Sequence, residues 1–242
     1  MSTAVNDFLV LISGESASGK SASLLNLENP EGVLYLCTEA GKKLPFRSKF
    51  LEKVVTDPLQ IPDAFDHAEG MENIHTIVVD SVTFLLEQYE TQYVLPATNT
   101  MQAWGDFQQY FKKLMQDQVA KSSKNVIFTA HTLTLYNEAS MAMETKIPVK
   151  GALKNNGIEA FFSINMMTVK KSLKDLEKYK SEMLIITPQD EALGFKYVFQ
   201  TQLTKETVNT RIRSPMGLFS VGETFINNDS QMVLNRLHEY YK

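Results

Sequence analysis

Gly14, Glu15, Ser16, Ala17, Ser18, Gly19, Lys20 and Ser21 read Gly-Glu-Ser-Ala-Ser-Gly-Lys-Ser, a complete G-x-x-x-x-G-K-S spacing. The chemistry open to that string is the capture of phosphate. Glycines let the backbone wrap an anion so that successive N–H groups point inward. A helix beginning at Ser21 adds partial positive charge at its N-terminus. Lys20 reaches the terminal phosphates, and the Ser21 hydroxyl is a ligand for Mg²⁺. The alternative is a Gly/Ser-rich turn. The apolar run Phe8–Ile12 before the loop and the helix-compatible Ser21–Leu27 after it favour the phosphate reading.

Three apolar runs end in polar groups suited to the same anion. Thr76-Ile-Val-Val-Asp80 ends in a carboxylate that can hold Mg²⁺ beside the loop, usually through water. Taken alone, such an Asp serves equally as a helix cap, although Ser81 is the better cap for a helix from Val82. Val33-Leu-Tyr-Leu-Cys-Thr-Glu39 ends in an acid that can orient or deprotonate a water attacking the γ-phosphate. Its alternative is a surface acid next to Lys42 and Lys43. Asn125-Val-Ile-Phe-Thr-Ala-His131 places an imidazole where it can bond the γ-phosphate and report its loss. A structural histidine is the other reading. The polar, Met- and Lys-containing segment from Thr132 to Asn156 follows, with no strong strand pattern, and a stretch of that length is functional or disordered.

Positioning these groups requires an α/β architecture. Strands are expected at Phe8–Ser13, Gly32–Cys37, Thr76–Val79, Asn125–Ala130 and Ala160–Val169. Helices are expected at Ser21–Leu27, Ile61–Gly70, Val82–Tyr93 and Ala103–Ser122, the last with a core stripe of Phe107, Phe111, Leu114 and Val119. Their alternation implies right-handed β-α-β units and a mostly parallel sheet covered by helices on both faces. The last third reads as antiparallel strands, Met183–Thr187, Phe195–Gln202 and Asn209–Arg213, with turns at 188–194 and 203–208, then a helix at Ser230–Tyr241. Lys170–Lys180 reads as a solvated helix or hairpin arm, ahead of a nucleic-acid contact. The expectation is one domain over residues 1–242: a nucleotide-binding core at 1–169 and a β extension with a C-terminal helix at 170–242.

The 242 residues are 43% hydrophobic and 21% charged, enough apolar material for a core. A net charge of −4 argues against coating duplex nucleic acid by bulk charge. The one cysteine, Cys37, makes no intrachain disulfide and fits a reducing compartment. No segment reads as a membrane span, and Met1–Asp7 lacks the regions of a signal peptide, so a cytoplasmic location is expected.

In this order the loop, Glu39, Asp80 and His131 resemble the RecA-like P-loop ATPase core. They are most similar to small phage-encoded, Sak-type proteins of single-strand annealing and recombination, and the likeness covers most of the chain. It implies ATP and Mg²⁺ as ligands, Glu39 as the water-activating acid, and His131 as the switch, where the family often has Gln. Lys150-Gly-Ala-Leu-Lys154 resembles the end of the RecA DNA-binding loop. Arg211-Ile-Arg213-Ser-Pro215 is similar to the basic pair that RecA-like subunits extend to a neighbour's ATP. Such a cation neutralises charge developing on the γ-phosphoryl and makes turnover depend on assembly. The alternative for Arg211 and Arg213 is the exposed face of an edge strand.

Single-stranded DNA is then the expected partner, with host cytoplasm the location if the chain is phage-encoded. Lys146, Lys150 and Lys154 are candidate backbone contacts, and Trp104 is a candidate stacking residue or a core anchor. A homo-oligomer is expected: a ring, a short array or a filament. Only Met1–Asp7 precede the first strand, which argues against a RecA filament built through an N-terminal element. A single-stranded-DNA-binding protein is a further partner. Two other functions fit the phosphate loop. One is a nucleotide-gated scaffold with incidental hydrolysis. The other is a small-molecule phosphotransferase such as a nucleotide kinase, which needs an arginine-rich lid; the chain has Arg47, Arg211, Arg213 and Arg236.

Overall fold

In the computed structural model the described residues are 5–138 and 141–242. Met1–Ala4, part of the N-terminal segment considered above, and Ala139–Ser140, inside the 132–156 stretch, lie outside them. The strands in chain order are β1 (Leu9–Gly14), β2 (Val33–Cys37), β3 (Leu51–Val54), β4 (Thr76–Asp80), β5 (Asn125–His131), β6 (Leu133–Asn137), β7 (Ala142–Lys146), β8 (Ile164–Ser172), β9 (Phe195–Gln200) and β10 (Phe225–Asn227). The helices are α1 (Gln60–Glu69), α2 (Val82–Tyr89), α3 (Thr100–Lys113), α4 (Leu153–Asn156), α5 (Leu173–Leu176), α6 (Pro188–Leu193) and α7 (Ser230–Tyr240). Eight strands form one sheet in the order β10-β9-β8-β1-β5-β4-β2-β3, and β6 pairs with β7 as a separate hairpin. The six strands from β8 to β3 are parallel, while β9 and β10 add antiparallel pairings at the β8 edge.

Side chains alternate across a strand, and here both faces are apolar. Leu11, Leu36, Val79 and Phe128 point to one side, where α1, α2 and α3 pack. Val10, Tyr35, Val78 and Ile127 point to the other, under Leu24, Phe219 and α7. The stripe Phe107, Phe111, Leu114 and Val119 is buried as its spacing requires. α2 and α3 each pass into a π-helical turn, at Glu90–Val94 and Leu114–Val119.

Several expectations need correction. The helix expected at Ser21–Leu27 is a four-residue 3-10 turn, Ser21–Leu24. A second 3-10 turn opens shortly downstream at Pro30. The strand expected from Ala160 begins at Ile164, because residues 158–161 form a 3-10 turn that buries Ile158 and Glu159. It then runs on through Lys170 and Lys171, paired with β9, where the lysines lie over the rings of Phe195, Tyr197 and Phe225. Met183–Thr187 is no strand; Thr187 instead caps α6 with a reciprocal Thr187–Asp190 box. Asn209–Arg213 makes only isolated bridges, Thr145–Thr210 and Asn165–Arg213. The segment after His131, expected without strands, contains the β6–β7 hairpin.

Candidate nucleotide-binding site

β1 and β5 are adjacent and in register, with Gly14 opposite His131. β4 lies on the far side of β5, so the carboxyl ends of three strands share one edge. In α/β sheets that edge carries ligands. The loop leaves β1 at Gly14, where a Cβ would collide with Thr168 and Ser18. The Ser18 and Thr168 hydroxyls bond each other and tie the loop to β8. Ala17 (φ 59°) and Gly19 (φ 102°) turn the backbone through the left-handed region. Loops of that kind expose N–H groups to an anion. Because only a four-residue 3-10 turn follows, the cradle relies on these amides and on cations, not on a long helix dipole.

Lys20 is buried, and its Nζ donates to the carbonyls of Gly14 (2.9 Å) and Glu15 (2.8 Å). Burial lowers its pKa to about 8, while Asp80 and Glu39 pull it upward. The Ser21 hydroxyl donates to Asp80 Oδ2 at 2.7 Å. Asp80 is itself buried and accepts from the Tyr35 hydroxyl (2.8 Å) and from Thr129. Burial, then Asp80 itself, pushes the Tyr35 hydroxyl far up, which keeps it a donor.

Glu39 Oε1 meets His131 Nε2 at 2.9 Å, and Oε2 accepts from Lys42 at 2.6 Å. Burial acts to raise the Glu39 pKa, but the hydrogen bonds from His131 and Lys42 outweigh it and hold the carboxyl down at about 2. The other ring nitrogen of His131, Nδ1, lies 3.4 Å from Lys20 Nζ. His131 thus joins the phosphate-loop lysine to Glu39. Its backbone N–H donates to Thr83, and its ring meets Phe84 edge-on at 5.5 Å. A pocket of about 370 Å³ opens beside these groups, lined by Gly19, Lys20, Ser21, Lys42, His131 and Asn228.

The loop Gly14–Ser21, Glu39, Asp80 and His131 therefore come together. The remaining candidates lie apart from them. The Arg211 guanidinium is held inside the chain by Glu159 (3.3 Å), Glu144 (3.4 Å) and the Asn156 carbonyl (3.2 Å). Arg213 is exposed, its backbone is paired with Asn165, and its side chain makes no ion pair among the described residues. Lys146 pairs with Glu144 and Lys150 with Glu90, whereas Lys154 is exposed without an ion pair among the described residues. Trp104 packs edge-on against Phe107 and against Gly151, where a Cβ would meet the indole at 2.8 Å.

Sequence reasoning missed Tyr35, Thr129, Lys42 and Asn228. For the first two a signal existed: a lone polar group inside an apolar strand, each on the strand that also carries a recognised end residue. Asn228 had none, being 209 residues from the carbonyl it touches.

Two oxygens suited to Mg²⁺, from Ser21 and Asp80, stand within hydrogen-bond distance of each other. No cluster of three His, Cys, Asp or Glu able to hold a metal occurs among the described residues. Residues 7–163 match the model of the family described as AAA domain. The chain belongs to the AAA domain family. It is thus a P-loop, nucleotide-binding domain of ATPase type on an α/β fold. The match includes the phosphate loop, Glu39, Asp80 and His131, and ends before Arg211, Arg213 and Asn228. No curated protein matches the chain. No helix among the described residues of this AAA domain is long and apolar enough to cross a membrane.

Proposed function

We propose that this chain is a RecA-like, Mg²⁺-dependent ATPase that acts on single-stranded DNA, in the manner of Sak-type annealing and recombination proteins, and that it works as a homo-oligomer. The observation that carries the reading is the run Lys20–His131–Glu39, with the β6–β7 hairpin starting two residues beyond His131. One imidazole touches the phosphate-loop cation, the candidate water-orienting acid and the strand that feeds a projecting element.

ATP would lie with its phosphates in the Gly14–Ser21 loop. Mg²⁺, held there by Ser21 and Asp80, would neutralise charge on the phosphate oxygens. The hydroxyls of Tyr35 and Thr129 keep Asp80 aimed. Lys20 exchanges its bonds to the Gly14 and Glu15 carbonyls for bonds to phosphate. A water would then attack the γ-phosphorus, the bond to the β-phosphate oxygen would break with its electron pair leaving on ADP, and the water's proton would pass to an oxygen of the transferred phosphate. A carboxylate held at a pKa of about 2 is a weak base, so Glu39 in this arrangement orients the water more than it deprotonates it. Turning His131 from Glu39 toward a γ-phosphate would free the carboxylate, raise its basicity and move the start of β6. Basal turnover is accordingly slow.

Lys154, without an ion pair among the described residues, supplies the first DNA contact in this reading; Lys146 and Lys150 join it on exchanging Glu144 and Glu90 for phosphate, and Trp104 packs on Gly151 between Lys150 and Lys154. Arg213 is the cation free to reach a neighbour's ATP; Arg211 is already committed. A nucleotide-kinase lid finds little support, since Arg211 and Arg236 are each tied to a glutamate. The test is steady-state ATP hydrolysis with and without single-stranded DNA at several salt concentrations. Stimulation is expected; folded protein with no stimulation at any salt rejects the DNA-coupled reading.

A further inference from the structure

The β10–α7 turn, from the far end of the chain, is docked on the phosphate loop. Asn228 Nδ2 donates to the Gly19 carbonyl at 2.9 Å. Ser230 and Ser23 share a buried hydroxyl contact at 3.0 Å, and Asn26 donates to Asp229 at 2.7 Å. The Glu28 N–H reaches Gln231 Oε1 at 3.0 Å. These bonds fall on Gly19 and on Ser23, Asn26 and Glu28, within and just beyond the short 3-10 turn Ser21–Leu24.

Gly19 is shaped to this contact. Its φ of +102° suits glycine alone, and a Cβ there would meet Asn228 Nδ2 at 2.8 Å. The amide donates to the loop, while its other atom, Oδ1, is buried with no hydrogen-bond partner among the described residues. Flipping the amide would set two oxygens against each other.

The consequence lies in one peptide unit. In a trans peptide the Gly19 C=O and the Lys20 N–H point in opposite directions. The Gly19 carbonyl accepts two bonds, from Asn228 Nδ2 and, at 3.0 Å, from the Ser23 N–H, and this pair of donors together turns the Lys20 N–H away from the C-terminal turn. We propose that Asn228 is a positioning residue of the nucleotide site: it orients the Gly19–Lys20 peptide so that the Lys20 N–H faces bound phosphate. Asn228 lies outside the stretch that matches the family model. The inference rests on the ATPase reading and adds to it a contribution from the C-terminal element.

The experiment is calorimetric titration of the full chain with ATP and, separately, with inorganic tripolyphosphate, both with Mg²⁺. Asn228→Ala is expected to weaken both ligands by about the same factor, near tenfold. Asn228→Asp, similar in size but an acceptor facing a carbonyl, is expected to weaken them further. Equal affinities for wild type and variants overturn the proposal. So does a loss confined to ATP, which would make Asn228 a nucleoside contact. Should both variants fail to fold, the wild type decides by amide exchange: the Asn228 side-chain NH₂ is expected to stay protected with tripolyphosphate bound, and rapid exchange there overturns the proposal. A wild type that binds neither ligand defeats the ATPase reading itself, and this inference with it.

Discussion

Lys20 carries a charge that is costly until an anion arrives. Its folded pKa of about 8 lies below the ordinary 10.5, so the unfolded chain binds the extra proton between those values. The penalty, roughly 3 kcal/mol, is fully present below pH 8 and is relieved as pH rises toward 10.5. Bound phosphate reverses the balance by favouring the ammonium. Affinity for ATP is therefore expected to fall about tenfold per pH unit above pH 8, with proton uptake on binding. Calorimetry in buffers of different ionisation enthalpy from pH 7 to 9.5 checks this; a flat affinity across that range contradicts it. Glu39 offers a separate test, because its two hydrogen-bond partners hold it ionised. Glu39→Gln is expected to keep ATP binding and lose about 10²–10³ in turnover. Single-turnover hydrolysis measures that directly, and near-normal turnover removes Glu39 from the reaction.

Among the elements, the β6–β7 hairpin is the one whose anchoring is specific. Arg211 joins Glu144 on β7 to the buried Glu159, and Glu159 also accepts the Ile147 N–H. Arg211→Ala leaves Glu159 without its cation and is expected to cost about 3 kcal/mol. Faster hydrogen exchange over Leu133–Asn137 and Ala142–Lys146, with the central sheet unchanged, is the expected signature; uniform exchange throughout would contradict a local anchor. The residues explain which elements the sequence made legible. The central strands announce themselves, since Val33–Cys37 and Thr76–Val79 are continuous apolar runs that only a doubly covered strand tolerates. Leu51–Val54 is a short, exposed edge strand with two charges, and its pairing to β2 leaves no local trace. The hairpin escapes for a related reason: Leu133, Leu135, Tyr136 and Met143 are exposed, so there is no buried face for a period to report. The site was readable where a polar residue ends an apolar strand, as at Glu39, Asp80 and His131. It was unreadable where long-range packing supplies the group, as at Asn228 and in the capture of Arg211 by Glu159.

On the scale of the whole molecule, the phosphate loop and the C-terminal segment are one mechanical unit. β8 ties to the loop through Thr168, and the β10–α7 turn ties to it through Asn228. The hairpin follows directly from His131, and its Thr134 and Thr145 line a pocket together with Glu15–Ser18 and Thr168. In the proposed function this imidazole converts nucleotide state into the position of the hairpin. The most direct measurement compares steady-state ATP hydrolysis by wild type and His131→Ala, each with and without a single-stranded oligonucleotide. Stimulation of the wild type and none of the variant is expected, with both still binding ATP. Equal stimulation of the two proteins would contradict it.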